Sequence, residues 1–207
     1  MGASAAALVE ELRPHVADER VLAAIAAVPR DVFVPEAARS RAWANEALPL
    51  SAGQTISQPL VVARMCALLQ LHGDEVVLDV GTGSGYHAAV LARLARHVHS
   101  VEVHASLSEG ARAALLEAGV ANVTLHIGDG SRGLPALAPF GAVNVAAAGP
   151  ATRLEALVAQ LEPDGRLVAP VEIAAEEQAL VVVRRDRSGA LHQTVHERVR
   201  FVPLVGR

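Results

Sequence analysis

Three glycines alternate in the run Leu78-Asp79-Val80-Gly81-Thr82-Gly83-Ser84-Gly85-Tyr86. A loop that leaves a strand and enters a helix must turn tightly. A ligand can reach its backbone only where no Cβ intervenes. Gly81, Gly83 and Gly85 permit both. Such a loop opens at the C-terminal end of its strand, where open α/β sheets place their ligands. So dense a glycine run weakens local structure unless something is gained, which favours a ligand over a bare turn. Two later acids fall on the same edge. Glu102 closes the run HVHSVEV (97–103), where a carboxylate can accept hydrogen bonds from both hydroxyls of a ribose. Asp129, followed by Gly130, closes NVTLHIGD (122–129), where it can accept from the amino group of an adenine.

The spacing discriminates between ligands. A dinucleotide fingerprint, G-x-G-x-x-G/A, fits only on Gly83, Gly85 and Ala88, which sets its first glycine two residues late after the strand. The acid-x-G-x-G-x-G loop of class I methyltransferases is matched by Asp79, Gly81, Gly83 and Gly85 without adjustment. A carboxylate at 79 would repel a pyrophosphate but suits the cationic methionine part of S-adenosylmethionine. The loop therefore resembles a site for that cofactor. On this reading Asp79, Gly81, Thr82, Gly83, Ser84, Gly85, Glu102, Asp129 and Gly130 are the binding residues.

The elements that must position these residues are legible from periodicity. Asp18 can cap a helix with Val21, Leu22, Ile25 and Val28 on one side, stopped by Pro29. Ser57 is placed to cap another, with Pro59 in its first turn, running through Val61, Met65, Leu68 and Leu69 to Gly73. Short β-branched runs follow at 75–80, 97–103, 122–129, 142–148 and 166–171. Helices are expected at about 86–96, after 103, and at about 152–161, the last ending before Pro163-Asp164-Gly165. This alternation predicts a doubly wound, mostly parallel α/β sheet. QALVVVRR and a final apolar stretch flank Ser188-Gly189, which predicts a C-terminal antiparallel hairpin. The chain reads as one unit, 1–207, with a helical extension (1–73) and a Rossmann-like core (74–207).

Composition narrows the function classes. Half of the 207 residues are hydrophobic and only five are aromatic, which suits an aliphatic core and disfavours base-stacking platforms. A net charge of −4 with no Lys/Arg cluster argues against a nucleic-acid partner. No apolar run approaches the roughly 20 residues of a membrane span, so no membrane partner is expected. The lone Cys66 reads as a buried inert thiol in a reducing, cytoplasmic setting. His97 and His99 share a strand face, but no metal-ligand spacing supports a metal.

Five segments together resemble the protein-L-isoaspartate O-methyltransferases: VPRDVFVP (28–35), LPLSAGQTISQP (48–59), VLDVGTGSGYHAAVLA (77–92), the GDG at 128–130, and VRFVPLVG (199–206). The resemblance implies a methyltransferase domain with an N-terminal helical extension, expected to act as a monomer. It implies methyl transfer from S-adenosylmethionine to the α-carboxyl group of isoaspartyl residues in damaged proteins and peptides. The ester then collapses to a succinimide, which reopens partly to aspartate. It also implies that Ser57 and Thr55 act beside the substrate as the catalytic hydroxyls, with Gln54, Ile56, Val202 and Pro203 binding it. For Ser57 the plainer alternative is a helix cap alone. Four departures stand out. Asn45 replaces an aspartate, and Pro49-Leu50-Ser51 replaces P-I-G. Gly141 replaces an aspartate after an aromatic residue, and Ala146 replaces a threonine. Losing the second aspartate and the threonine would strip polar groups from the active edge. That bears on the acceptor and spares the cofactor loop. The competing readings are a methyltransferase for another carboxylate, in a dedicated peptide or a small molecule, and a weakly active or non-catalytic cofactor-binding relative. An NAD-dependent oxidoreductase rests only on the displaced fingerprint.

Overall fold

The computed structural model describes residues 4–206, so the outermost residues of the expected 1–207 unit lie outside it. Helices α1 (Ala5–Leu12) and α2 (Glu19–Ala27) come first. Asp18 caps α2 by accepting from the Arg20 and Val21 N–H groups, and Val21, Leu22, Ala24 and Ile25 form its buried face. Two 3-10 turns (Arg30–Phe33 and Glu36–Arg41) lead to a short antiparallel ribbon of β1 (Leu48–Pro49) and β2 (Thr55–Ile56). Helix α3 (Pro59–Leu69) starts on Pro59 as expected, and its cap position is Gln58, not Ser57. It stops short of Gly73 because Gln70 adopts a left-handed conformation, φ 50°.

A seven-stranded sheet follows: β3 (Val76–Val80), β4 (His97–Glu102), β5 (Val123–Ile127), β6 (Phe140–Val145), β7 (Leu161–Ala174), β8 (Glu177–Arg185) and β9 (Leu191–Val199). Helices α4 (Tyr86–Ala92), α5 (Ala105–Glu117) and α6 (Glu155–Val158) connect the early strands. The order is β5-β4-β3-β6-β7-β8-β9, parallel through β7 and antiparallel at β7-β8-β9. The predicted helix at 152–161 is a 3-10 turn (Ala151–Leu154) and one turn of α6. Pro163-Asp164-Gly165 does not precede the strand. It is absorbed into β7 as a bulge opposite Gly141, with Asp164 at φ 65°.

Side chains alternate between two cores, as strands buried on both faces require. Val77, Val98, Ala142, Val168, Leu180 and Val182 point towards α1–α5. Leu78, Val80, Val101, Val143, Val145, Leu167 and Val181 point towards α6. The first of these cores is continuous across residue 73, joining the N-terminal helices to the sheet. Because β4 lies on one side of β3 and β6 on the other, the winding reverses at β3. The glycine loop opens at that switch point.

Candidate active site

Gly81, Gly83 and Gly85 all take positive φ, 94°, 54° and 87°, so the loop is built from a backbone shape that side chains resist. The Gly81 N–H donates to the Val101 carbonyl (2.9 Å), tying the loop to β4. A Cβ on Gly85 would lie 3.1 Å from that of Ala111, so this glycine is needed where α5 packs. At Gly83 a Cβ would meet only Leu50 Cδ1, at 3.9 Å; there the space in front of the backbone is open. The Glu102 carboxylate is nearly buried and already oriented. Its Oε2 accepts from the Gly83 N–H (2.9 Å) and its Oε1 from the His104 N–H (3.0 Å). Each oxygen keeps a lone pair for a hydroxyl donor.

Asp79 sits elsewhere than the sequence suggested. It does not line the cavity. It is fully buried beneath the loop on the helix-covered face, in register with Ser100 on β4 and Asn144 on β6. Ser100 Oγ donates to Asp79 Oδ2 and Asn144 Nδ2 to Oδ1, both at 2.7 Å. Thr82 joins through its hydroxyl, 2.6 Å from that of Ser100. His87 Nδ1 lies 3.3 Å from Asn144, and its Nε2 lies 3.5 Å from Cys66 Sγ. Burial outweighs the two hydrogen bonds and raises the Asp79 carboxyl to about 6. Burial also lowers His87 to about 3, keeping it neutral, and pushes the Cys66 thiol up. The chain of polar groups thus ties the loop to three strands and two helices. It gives the acid at 79 a structural role in holding the loop.

Asp129 also turns away, accepting from the N–H (3.0 Å) and hydroxyl (2.6 Å) of Ser131 in its own 3-10 turn. Its neighbour Gly130 lines the cavity. A Cβ at 130 would fall 2.7 Å from Val80 Cγ1, so Gly130 serves the packing of that turn on the strand ends.

Two spaces meet at this edge. The inner cavity is lined by Gln54–Ser57, the glycine loop, Glu102–His104, Gly130, Ala146–Ala147 and Val202–Val205. It encloses about 70 Å³. The outer cleft, about 670 Å³, is lined by Ala47, Gln58, Val61 and Arg198–Phe201. Thr55, Ser57, Ala146 and Val202 line both. Gln54, Ile56 and Pro203, expected on the substrate side, line only the inner cavity. Pro203 is held there by a parallel bridge to Ala148, the Ala148 N–H donating to the Val202 carbonyl at 2.8 Å.

The wall carrying Ser57 is clamped by Arg30, which is fully buried and donates to the carbonyls of Ala42, Ala44, Glu46 and Ser57. Its guanidinium lies over the Tyr86 ring, 5.5 Å from the centroid, and burial lowers its pKa. Capping does not account for Ser57, because α3 is capped from a distance. Asn45 Oδ1 accepts from the Leu60 N–H at 3.0 Å, and Gln58 Nε2 donates to the Asn45 carbonyl. An amide oxygen performs this task as a carboxylate would, so the departure at 45 leaves the site intact. The departure at 141 is remote. Gly141 lies at the start of β6, away from the edge carrying the loop, and a Cβ there would be 2.9 Å from the Glu75 side chain. It therefore removes nothing from the active edge, contrary to expectation. Leu50 of the altered P-I-G segment lies beside Gly83. Ala146 alone of the four lines both spaces, at their junction.

The family model for protein-L-isoaspartate(D-aspartate) O-methyltransferase matches residues 3–207. The chain belongs to that family. A protein-L-isoaspartate O-methyltransferase of Anaeromyxobacter sp. (strain Fw109-5) is 52% identical over 92% of this chain and 90% of its own length. One from Klebsiella pneumoniae subsp. pneumoniae is 51% identical over 96% and 94%. A solved structure of a protein-L-isoaspartate O-methyltransferase superposes with a TM-score of 0.86 at 25% identity, covering 98% of this chain and 66% of the other. A Plasmodium falciparum structure solved with S-adenosyl-L-homocysteine gives 0.82 at 23%, covering 97% and 98%, and shares the fold. As a member of this methyltransferase family the protein uses S-adenosylmethionine. The residues present suit that cofactor: Glu102 has acceptor capacity for a ribose, and the open face of Gly83 admits close approach.

Reading the sequence missed Ser100, Asn144 and His87, and it assigned Arg30 no role. Each stood out faintly, as a polar residue inside an apolar run: HVHSVEV, AVNVAAA and VPRDVFVP. The structure also sets His99 Nδ1 3.2 Å from His126 Nε2, a neighbour not linked in sequence. Among the described residues no group of three or more His, Cys, Asp or Glu could hold a metal ion.

Proposed function

We propose that the protein methylates the α-carboxyl group of isoaspartyl residues in damaged proteins and peptides, as a monomer in the cytoplasm and without a nucleic-acid or membrane partner. The observation that carries this reading is the junction of Thr55, Ser57, Ala146 and Val202, where the inner cavity adjoins an outer cleft of about 670 Å³. Bound S-adenosylmethionine supplies an electrophilic methyl group. The substrate carboxylate, with a pKa near 4, is already a nucleophile at neutral pH, so no general base is required. The chain's work is alignment and exclusion of water. The Ser57 and Thr55 hydroxyls orient the carboxylate without neutralising it. Val202 and Ala146 keep the junction apolar, Glu102 holds the cofactor ribose, and the glycine loop takes the rest of the cofactor along its backbone. A carboxylate oxygen attacks the methyl carbon, the bonding pair to sulfur stays with sulfur, and a neutral ester leaves to cyclise to a succinimide.

Ala146, in place of the family's threonine, favours a second reading: a methyltransferase whose carboxylate acceptor differs. One experiment separates them. Radiolabelled S-adenosylmethionine is incubated with an isoaspartyl peptide and its aspartyl counterpart. Base-labile label on the isoaspartyl peptide alone is expected. No label on either, with cofactor bound in a calorimeter, would overturn the proposed acceptor and leave the second reading.

A further inference from the structure

The outer cleft has an electrostatic character that methylation of a single carboxylate does not require. Its lining contains two guanidinium groups, Arg198 and Arg200, and no acid. The acids beside lining residues are engaged: Glu46 with Arg41, and Glu197 with Arg64. Arg198 pairs with Glu177 at 3.1 Å on an exposed surface. Arg200 has no side-chain hydrogen bond or ion pair among the described residues. Its backbone is nevertheless fixed on both sides. Val199 pairs with Gln178 across β8–β9, and the Gln178 side chain accepts from the Phe201 N–H (2.7 Å) and donates to its carbonyl (3.3 Å). An arginine on a rigid stretch, lining a cleft without acids in a chain of net charge −4, is a local exception to the overall field.

We infer that Arg200, assisted by Arg198, binds a second carboxylate of the substrate peptide, distinct from the one methylated. The reacting carboxylate is the wrong partner for a guanidinium. A bidentate ion pair would largely neutralise its charge and so lower the nucleophilicity it needs for attack. At the junction the structure offers it uncharged hydroxyls instead. The outer cation suits either an acidic side chain flanking the isoaspartate or the α-carboxylate of a nearby chain end. This rests on the proposed isoaspartyl acceptor.

The test compares isoaspartyl peptides of equal length: one amidated with neutral flanks, one amidated with glutamates on either side, one neutral with a free C-terminal carboxylate, and one with lysine flanks. A partly solvated ion pair predicts kcat/KM about fivefold higher for an acidic or free-carboxylate peptide than for the neutral one, with lysine lowest and the advantage shrinking as salt rises. Arg200→Gln should collapse the acidic-to-neutral ratio towards one, and Arg198→Gln should reduce it less. A response to glutamate alone assigns the flanking side chain as the source; a response to the free terminus alone assigns the chain end. Equal kcat/KM for acidic and neutral peptides overturns the inference, as does a preference that survives both substitutions together. Absence of label from every isoaspartyl peptide overturns the proposed acceptor, and the inference with it.

Discussion

The inner cavity and the outer cleft share four residues yet are built by different means. The inner cavity is a backbone site. Three left-handed glycines shape it, one loop N–H orients Glu102, and a buried polar row under the loop holds the frame. The outer cleft is a side-chain site, made of hydroxyls, aliphatic groups and two arginines on the short β2 ribbon and the C-terminal strand. A backbone site tolerates little variation, because its chemistry is peptide geometry. A side-chain site can be retuned one residue at a time. The departures follow this division: none replaces a residue of the glycine loop, although Leu50 and Ala146 pack beside Gly83 and Gly81, and Ala146 lies at the border of the two spaces.

That contrast can be broken most directly at Gly83. Valine there would force a β-branched residue to φ 54° and fill the open space before the loop. Affinity for S-adenosylmethionine should fall at least about 100-fold, or about 3 kcal/mol, by calorimetry. Affinity retained in Gly83→Val would mean that the cofactor lies elsewhere. The buried row makes a pH-dependent contribution. The folded protein holds the Asp79 proton up to about pH 6, whereas an ordinary aspartate releases it near 3.8. The folded state therefore binds the extra proton between those values. Stability from this group is highest below the lower value and declines as pH rises through the window, by about 3 kcal/mol in all. Asp79→Asn, which can still accept from Asn144 and donate to Ser100, should lose that slope. Denaturant unfolding at pH 4 to 7 checks it, and parallel profiles for the two proteins would contradict it.

On the acceptor side the effects are smaller and fall on turnover. Ser57→Ala should lower kcat roughly tenfold, in line with loss of one positioned hydroxyl. Cofactor affinity and melting temperature should hold, since Ser57 does not cap α3. A drop in melting temperature matching the loss of kcat would reassign Ser57 to structure. The smallest effect is expected at the border. Ala146→Thr adds a hydroxyl where both spaces meet and should raise kcat/KM for an isoaspartyl peptide about fivefold, one hydrogen bond's worth. An unchanged value would show that the missing hydroxyl is not what sets this acceptor site.

The sequence displayed the backbone site well and the side-chain site unevenly, for physical reasons. Glycines at fixed offsets after a β-branched run have few alternatives to a ligand-approached turn, so the loop and the strand order around it were legible. Asp79 was misplaced because a motif reports position along the chain, whereas alternation on β3 turns its side chain to the helix-covered face. Arg30 carried no local signal of what it binds, since its four acceptor carbonyls lie 12 to 27 residues away. The capping of α3 by Asn45 is likewise tertiary, which is why Ser57 was open to a misleading local explanation. Gly141 showed the opposite error: a residue adjacent in sequence to the fourth strand was assigned to the active edge when it occupies the other end of that strand.

The Arg30 clamp has an optical corollary. Trp43 is the sole tryptophan of the chain, and the peptide carbonyls on either side of it, at Ala42 and Ala44, are both held by that guanidinium. Its indole packs half-buried against the core near the acceptor wall, whereas the glycine loop and the sheet contain no such fluorophore. Intrinsic emission excited at the red edge of the band, where the single tyrosine is silent, is thus a reporter of one wall only. The protein carries its own probe for watching the acceptor side loosen or tighten while the cofactor side stays dark.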